Sequence, residues 1–316
     1  MPTLPTELWL LIVSPLVDVQ YALSAPQPAD VQRTLHALSL TSRQLNAVPS
    51  QYIYDCIWIR SHHALSLLLA HYRRRRVRTL IYSGPLRSFP LDDVHLLLTH
   101  VAPTLERLFL SLSLGMPLAT YNNPLLLLRP TLQLCNHLRE LGSFSNASDE
   151  LLFPLRRTVR RALQPAPDLL TWPGVERVAL VNLNMGSALQ LAHVLPNLKS
   201  VALPAQGFEE GLVYHLQTIL HSLPPGQTDL VWVRHKDNTE EGESGAWFLF
   251  HFLPLVERLA SDFAGKVRMW LLHAPVGRVG LGWWMMQRML QGEMWMDMGI
   301  RLGGDREEGK SEVREE

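Results

Sequence analysis

Short apolar segments of one form recur along this chain and determine its predicted fold. Val175-Glu-Arg-Val-Ala-Leu180 and Leu198-Lys-Ser-Val-Ala-Leu203 carry apolar residues at the first, fourth and sixth positions. Apolar residues at every second position are typical of a β-strand. Five further segments rich in Leu or Val extend the series, namely Val77 to Tyr82, Leu105 to Leu110, Leu138 to Leu141, Asp229 to Val233 and Val267 to Leu271.

The stretches between these segments have helical character. They are residues 64–75, 91–101, 124–134, 149–163, 187–195, 208–223 and 246–263. A strand followed by a helix, repeated along a chain, predicts a parallel sheet with right-handed crossovers. The segment starts lie 23 to 38 residues apart, by subtraction of their positions. These steps overlap the period of leucine-rich repeats, about 20–29 residues, and that of longer helical repeats, and they do not settle on one period.

Two α/β architectures fit this alternation. If each repeat buries its apolar face only against its neighbours, the body is an irregular solenoid with parallel strands, spanning residues 61–302. The competing architecture is a doubly wound sheet, which tolerates irregular spacing. Its phosphate-binding glycine turn should follow an early strand, and the sequence contains none. The solenoid is therefore the predicted fold.

The first 60 residues read as a compact helical module. Leu8, Ile12 and Leu16 lie on one stripe of the first helix, and Trp9 and Val13 lie on a neighbouring stripe. Leu10 and Leu11 fill much of the remaining surface. A helix that is apolar all round must be buried on more than one side, so it needs the repeat body or a second protein.

The motifs of this module resemble the F-box, as found in fungal proteins. Leu4-Pro5-Thr6-Glu7-Leu8-Trp9 followed by Ile12 is similar to the F-box opening, and residues 38–47 are similar to its second half. Residues 52–60 resemble the tail that leads into the first repeat strand of such proteins. The stretch 17–31 is longer than the usual F-box linker, and Leu45 stands where the family has an aromatic residue. F-box proteins commonly carry leucine-rich repeats downstream, which agrees with the predicted body.

The resemblance implies a non-catalytic substrate-recognition adaptor of an SCF-type (Skp1-cullin-F-box) ubiquitin ligase. The implied Skp1 contacts are Leu4, Pro5, Leu8, Ile12, Leu40, Ser42 and Leu45. The repeat body would bind an unknown client protein. One alternative is that these residues only close the end of the solenoid, as terminal repeats must. A second is a repeat scaffold unconnected to ubiquitin ligation, and a third is an α/β enzyme with a diverged site.

The segment from Met269 to Met298 is rich in Met and Trp. Flexible methionines with aromatic anchors suit a binding groove, and they also suit a solenoid cap or a core, which is the interpretation we prefer. If part of this segment is exposed, Trp283, Trp284 and Trp295 are the predicted client-binding residues.

Composition bounds the remaining possibilities. The 316 residues carry 29 basic and 29 acidic side chains, so the net charge of the chain gives no overall attraction for nucleic acid. The basic run 73–76 reads as a nuclear-localisation or phosphate-binding patch, or as a solvated helix end. No apolar stretch reaches the ~20 residues that span a bilayer. The chain has only two cysteines, which fits a reducing compartment, so we expect a cytoplasmic or nuclear protein. Residues 303–316 are charged and almost without apolar residues, so we expect them to be a disordered tail.

Catalytic and metal-binding patterns are weak. Cys135 and His137 are two positions apart, which places them on different faces of a helix or on the same face of a strand, and no acid follows in a triad-like pattern. His62, His63 and His71 have no Cys or carboxylate at a metal-like spacing nearby. We therefore predict no enzymatic activity, no cofactor and no metal.

Overall fold

The computed structural model describes most of the chain beyond residue 52. The described residues are 33–35, 37, 38, 40, 53–71, 76–85, 91–113, 129–144, 171–181, 190–204, 212–224, 228–235, 253–263, 266–275, 281–291, 293–296 and 300–302. They form a mixed α/β structure built on one sheet.

The sheet of the described residues has nine strands. They are β1 (Cys56–Ile59), β2 (Thr79–Pro85), β3 (Arg107–Ser113), β4 (Glu140–Ser143), β5 (Arg177–Leu180), β6 (Ser200–Pro204), β7 (Thr228–His235), β8 (Val267–Ala274) and β9 (Ile300–Leu302). Strands β2 to β8 overlap the seven apolar segments, so those seven predicted strands are confirmed. β1 falls within the range 1–60 that the sequence assigned to the helical module, and residues 303–316 lie outside the described residues.

The strands lie side by side in the order in which they occur along the chain. Among the described strands, neighbours from β1 to β8 are parallel, and β9 pairs antiparallel with β8. A doubly wound sheet reverses its strand order at a switch point, where its ligand binds. The nine described strands contain no such reversal, so they do not follow the competing architecture.

Seven α-helices of the described residues lie between strands, and the first six pack on one face of the sheet. Their bounds are α1 (His62–His71), α2 (Leu91–Val101), α3 (Arg129–Leu132), α4 (Leu191–Val194), α5 (Leu212–Ser222), α6 (Leu253–Asp262) and α7 (Leu281–Leu290). The first six overlap predicted helices, α2 with the predicted bounds. The predicted helix at 149–163 lies outside the described residues, and α7 was not predicted.

Strand alternation gives the sheet two buried faces. On β2, Leu80 and Tyr82 belong to the larger core, which also contains residues of α1 to α6 such as Leu97. Ile81, between them, belongs to a second core on the opposite face, which contains residues of α7. A parallel sheet normally has both faces covered. Here the cover of the second face comes from the C-terminal helix alone among the described helices.

One backbone arrangement repeats at the start of successive strands. The carbonyl of Arg78 accepts hydrogen bonds from the amides of Glu106 and Arg107, both at 2.9 Å. The carbonyl of Glu106 likewise accepts from the amides of residues 139 and 140, that of Arg139 from 176 and 177, and that of Glu176 from 199 and 200. Each of these repeats therefore hydrogen-bonds to the next at the start of its strand, although the number of residues between the strands varies.

Candidate functional site

The second face of the sheet is the candidate functional site, and we call it the α7 face. Its central positions are Gly142 on β4, Ala179 on β5 and Ala202 on β6, which are consecutive partners in the register. Larger residues flank them, with Phe109 on β3 and Val231 on β7. The central side chains are small, and the aromatic rings of Phe109 and Phe144 and the methionines of α7 pack in the same core.

Helix α7 covers this face of the sheet with its methionines. Met285, Met286 and Met289 are buried in the same core as Ala179 and Ala202. Met294, in the 3-10 turn Glu293–Trp295, is buried there as well. The long, unbranched Met side chain fills irregular space, which suits a helix lying on an uneven sheet surface. Of the two interpretations of the Met-rich segment, burial in a core holds for these four residues.

Gly142 permits two aromatic rings to pack on the α7 face. Phe109 and Phe144 stack with centroids 6.3 Å apart and ring planes at 25°. A Cβ atom at position 142 would lie 2.6 Å from Phe109 Cδ1 and 2.6 Å from Phe144 Cε2. Real Cβ atoms do not approach other carbons this closely, so a larger residue would push the rings apart.

The direction of α7 is set by contacts at its two ends. Gly282 lies beside Val181 and the backbone of Phe144, which follow β5 and β4. At the other end, the guanidinium of Arg107 donates to the carbonyls of Met289 and Leu290, the latter at 3.4 Å. A cation at a helix C-terminus satisfies free carbonyls and interacts favourably with the helix dipole. The helix thus runs from the carboxyl ends of β4 and β5 to the amino end of β3.

A buried ion pair supports this helix end. Glu140 Oε2 lies 2.5 Å from Arg107 Nε, and Glu140 Oε1 accepts a hydrogen bond from Trp295 Nε1 at 2.6 Å. The side chains of Glu140 and Arg107 are only 7% and 14% exposed. One carboxylate therefore joins the sheet to both α7, through Arg107, and the turn after it, through Trp295.

The edge of the sheet where the strands begin carries charges of alternating sign. One position before β1 to β6 stand, in order, Asp55, Arg78, Glu106, Arg139, Glu176 and Lys199. Arg78 Nη2 lies 2.7 Å from Glu106 Oε2, and Lys199 Nζ lies 2.7 Å from Glu176 Oε1. Opposite charges on adjacent strands stabilise a pairing that like charges would oppose. This row, which we call the charge ladder, favours the observed strand order.

The charge ladder shifts the pKa values of its carboxyl groups. The hydrogen bond from Arg78 lowers the pKa of Glu106, and the one from Lys199 lowers that of Glu176. Asp55, at the end of the row, behaves differently, because burial raises its pKa more than the nearby Arg78 lowers it. From Arg78 to Lys199 the sign alternation was readable in the sequence, because each charge occupies the second residue of successive apolar segments.

The residues predicted to contact Skp1 fall almost entirely outside the described part of the chain. These are Leu4, Pro5, Leu8, Ile12, Ser42 and Leu45. Leu40 is described, is helical and is 85% exposed. The structure therefore does not show whether the predicted contacts come together.

The three tryptophans predicted to bind a client lie in or just after α7. Trp283 and Trp284 belong to the helix, and the side chain of Trp283 is not among those described. Trp284 is half-buried against the core of the α7 face, and the guanidinium of Arg288 lies 5.6 Å from its ring centroid. Trp295 is half-buried and bonded to Glu140. Two of the three thus contact the chain's own sheet.

One Ser-His-Asp cluster on the helical side lacks the geometry of a catalytic triad. Ser66 Oγ lies 3.1 Å from His62 Nε2, and Asp93 Oδ2 lies 3.4 Å from the same nitrogen. A triad uses the two ring nitrogens separately, one for the nucleophile and one for the acid. Both cysteines are free thiols, and burial raises the pKa of each to about 12, which disfavours the reactive thiolate.

Metal-binding clusters and membrane-spanning helices were searched within the described residues. No group of three or more His, Cys, Asp or Glu side chains there is placed to hold a metal ion. No helix in that part of the chain is both long and apolar enough to cross a membrane.

Comparison with known proteins gives no relative. No protein-family model matches the chain, and no curated protein matches it. Functional assignment therefore depends on the chain's own residues.

Proposed function

We propose that this chain is a non-catalytic adaptor that links a client protein to an SCF-type ubiquitin ligase. The observation that carries the proposal is an F-box-like motif placed directly before a repeating parallel sheet. The motif occupies residues 4–47, and the first strand begins at Cys56. Adaptors act by raising the local concentration of client near the transferring enzyme, so the chain itself would supply no reacting group.

The body of this adaptor would be an irregular leucine-rich-repeat-like solenoid. Three features support that interpretation: the sequential strand order, the placement of α1 to α6 on one face, and the backbone bonds that recur at the starts of β3 to β6. A solenoid grows by adding one repeat to the last, so each repeat contacts its neighbours. The number of residues from one strand start to the next varies, and this variation lies in the connections. Strands at unequal spacing in the sequence can therefore pair at the same register.

The N-terminal helices would bind a Skp1-like adaptor protein. Leu4, Pro5, Leu8 and Ile12 would form the first part of the contact, and Leu40, Ser42 and Leu45 the second. A protein interface concentrates its energy in a few large buried anchors. The exposure of Leu40 supports this role, because a large apolar side chain left in water is available to a partner.

Binding to purified Skp1, measured by isothermal titration calorimetry with the full chain, tests this proposal. We expect saturable binding that is lost in Leu8→Asp and in Ile12→Asp. The matched control is Leu67→Asp, because Leu67 is an exposed leucine on α1 of the body. We expect the control to bind as the wild type does. Absence of binding by a folded wild-type chain would refute the ligase link and favour the scaffold function.

A further inference from the structure

We propose that the edge of the sheet where β4 to β6 begin binds the acidic segment 303–316 of the same chain. The described residues of this edge carry more cations than carboxylates, and β9 directs the chain toward it. Residues 303–316 lie outside the described part of the chain, and their sequence identifies them as the ligand. The proposal goes beyond Skp1 binding and client binding, and it depends on neither.

Three cations, which we call the cation cluster, lie at the starts of β4, β5 and β6. Arg139 and Lys199 stand on either side of Glu176 in the charge ladder, and Arg177 follows Glu176 in the chain. All three cations are exposed. The pKa of Glu176 is lowered first by the hydrogen bond from Lys199 and also by the charges of all three. Since neighbouring strands are about 4.8 Å apart, these backbone positions lie within about 10 Å of one another.

The carboxylates of this region are too few to neutralise the cation cluster. Glu176 Oε1 lies 2.7 Å from Lys199 Nζ, so Glu176 is already paired. Glu140, the register partner of Arg177, is 7% exposed, and both its oxygens are engaged by the side chains that hold the end of α7. Among the described residues, no carboxylate lies within ion-pair distance of Arg139 or Arg177. The remaining positive charge attracts an anionic ligand.

Strand β9 brings the following segment to the same edge. β9 is antiparallel to β8, and Leu302 pairs with Met269, near the start of β8. The chain therefore leaves β9 at the edge where the parallel strands begin. Four strand spacings, about 19 Å, separate β9 from β5, and about six extended residues span that distance. Glu308 is six residues beyond Leu302, so it can reach the level of Arg177.

The segment 303–316 has the charge that the cation cluster requires. It contains six acidic and three basic side chains, which gives a net charge of −3 by subtraction. Val313 is its only large apolar residue, so the segment has too little apolar surface to form a core. Single exposed ion pairs are weak, but attachment through β9 keeps these carboxylates at an effective concentration of the order of millimolar near the cations. Charge and attachment together favour this segment as the occupant.

The distance between two spin labels on the full chain tests the contact. The labels are attached at His137→Cys, an exposed position two residues before Arg139, and at Ser311→Cys in the segment. Burial raises the pKa of both native thiols to about 12, so the introduced cysteines are the reactive ones at pH 7. We expect double electron-electron resonance to give about 15–20 Å at low salt. A segment attached only through β9 would lie about 30 Å away on average.

Two variants and a change of salt should abolish the short distance. Arg139→Gln with Arg177→Gln removes two of the cations, and Glu307→Lys with Glu308→Lys reverses two charges of the segment. We expect each pair of substitutions to lengthen the distance by at least about 10 Å. Salt at about 1 M should do the same, since it reduces the Debye length to about 3 Å. Arg258→Gln is the matched control, because Arg258 is exposed on α6, and it should keep the short distance.

Three results would overturn the proposal. They are a distance near 30 Å in the wild type at low salt, an unchanged distance in the segment variant, and a short distance between two chains that carry one label each. The last result would place the segment on a second molecule. The segment variant leaves the described sheet residues unchanged, so the test stands even if the arginine variant does not fold. No Skp1 is present, so the result is independent of the ligase link.

Discussion

Replacing Glu140 with Gln tests whether the buried carboxylate holds the C-terminal helix on the sheet. The substitution preserves the shape of the side chain and removes its charge. It leaves Arg107 with a neutral partner, and it turns the new amide group toward one of the two former donors. Those donors are Arg107 Nε at 2.5 Å and Trp295 Nε1 at 2.6 Å.

The expected cost follows from the burial of the pair. Removing one partner of a buried ion pair costs about 3–5 kcal/mol. Two effects reduce this figure here: Arg107 retains the carbonyls of Met289 and Leu290 as acceptors, and the amide oxygen of the substituted side chain can still accept one hydrogen bond. We therefore expect Glu140→Gln to lower the free energy of unfolding by about 2–4 kcal/mol.

The assay is urea unfolding followed by circular dichroism, with the full chain at pH 7. Glu176→Gln is the matched control, because Glu176 also pairs with a cation across neighbouring strands. Its side chain is 39% exposed and that of its partner Lys199 is 65% exposed. An exposed pair of this kind contributes about 0–1 kcal/mol. If Glu140→Gln costs no more than the control at equal m-values, the claim that this carboxylate anchors α7 is wrong.

Three further results are expected. Met289→Ala should lower the free energy of unfolding by about 2–5 kcal/mol, because Met289 is fully buried. In the same urea assay, Met296→Ala at an exposed site should change it by less than about 0.5 kcal/mol. Similar effects of the two substitutions would contradict the burial of Met289. Burial raises the pKa of Cys135 to about 12, so this thiol should not react with an aromatic disulfide reagent at pH 8 until urea unfolds the chain. Rapid reaction of the thiol in the native state would contradict its burial. The hydrogen bond from Arg78 lowers the pKa of Glu106, so the stability that this carboxylate provides is present above its ordinary pKa of 4.5 and is lost as the pH falls through the lowered pKa. The difference in free energy of unfolding between the wild type and Glu106→Gln should therefore shrink in acid. A constant difference from pH 7 to 3 would refute this expectation.

The strands were predictable because their signal is local. Segments such as Val175 to Leu180 combine alternation with residues that favour strands, and neither property depends on the rest of the chain. The order of the strands also follows from the segments, since short crossovers place consecutive parallel strands side by side. Helix α2 was predicted with its observed bounds. By contrast, α3 ends at Leu132, two residues before the predicted end at 134, and the predicted residues 124–128 lie outside the described part of the chain.

Helix α7 and its partners were not predictable in the same way. Leu281, Met285 and Met289 do recur at helical spacing, so a helix could have been inferred here. Its position could not, because many of the sheet residues beneath it, such as Phe109 and Ala202, come from segments far earlier in the chain. Glu140 illustrates the difficulty. It looks like a surface residue in its segment, and only the tertiary structure shows that Arg107 and Trp295 surround it.

The charge ladder explains how unequal repeats can still form an even sheet. The chain between Glu106 and Arg139 is longer than that between Glu176 and Lys199, yet both pairs stand at the same register. Alignment therefore cannot come from repeat length. It is fixed at the start of each strand, where one carbonyl accepts two amides of the next repeat and opposite charges face each other. Exchanging two neighbouring strands among β1 to β6 would place like charges side by side, so the charge ladder opposes such exchanges while the connections vary in length.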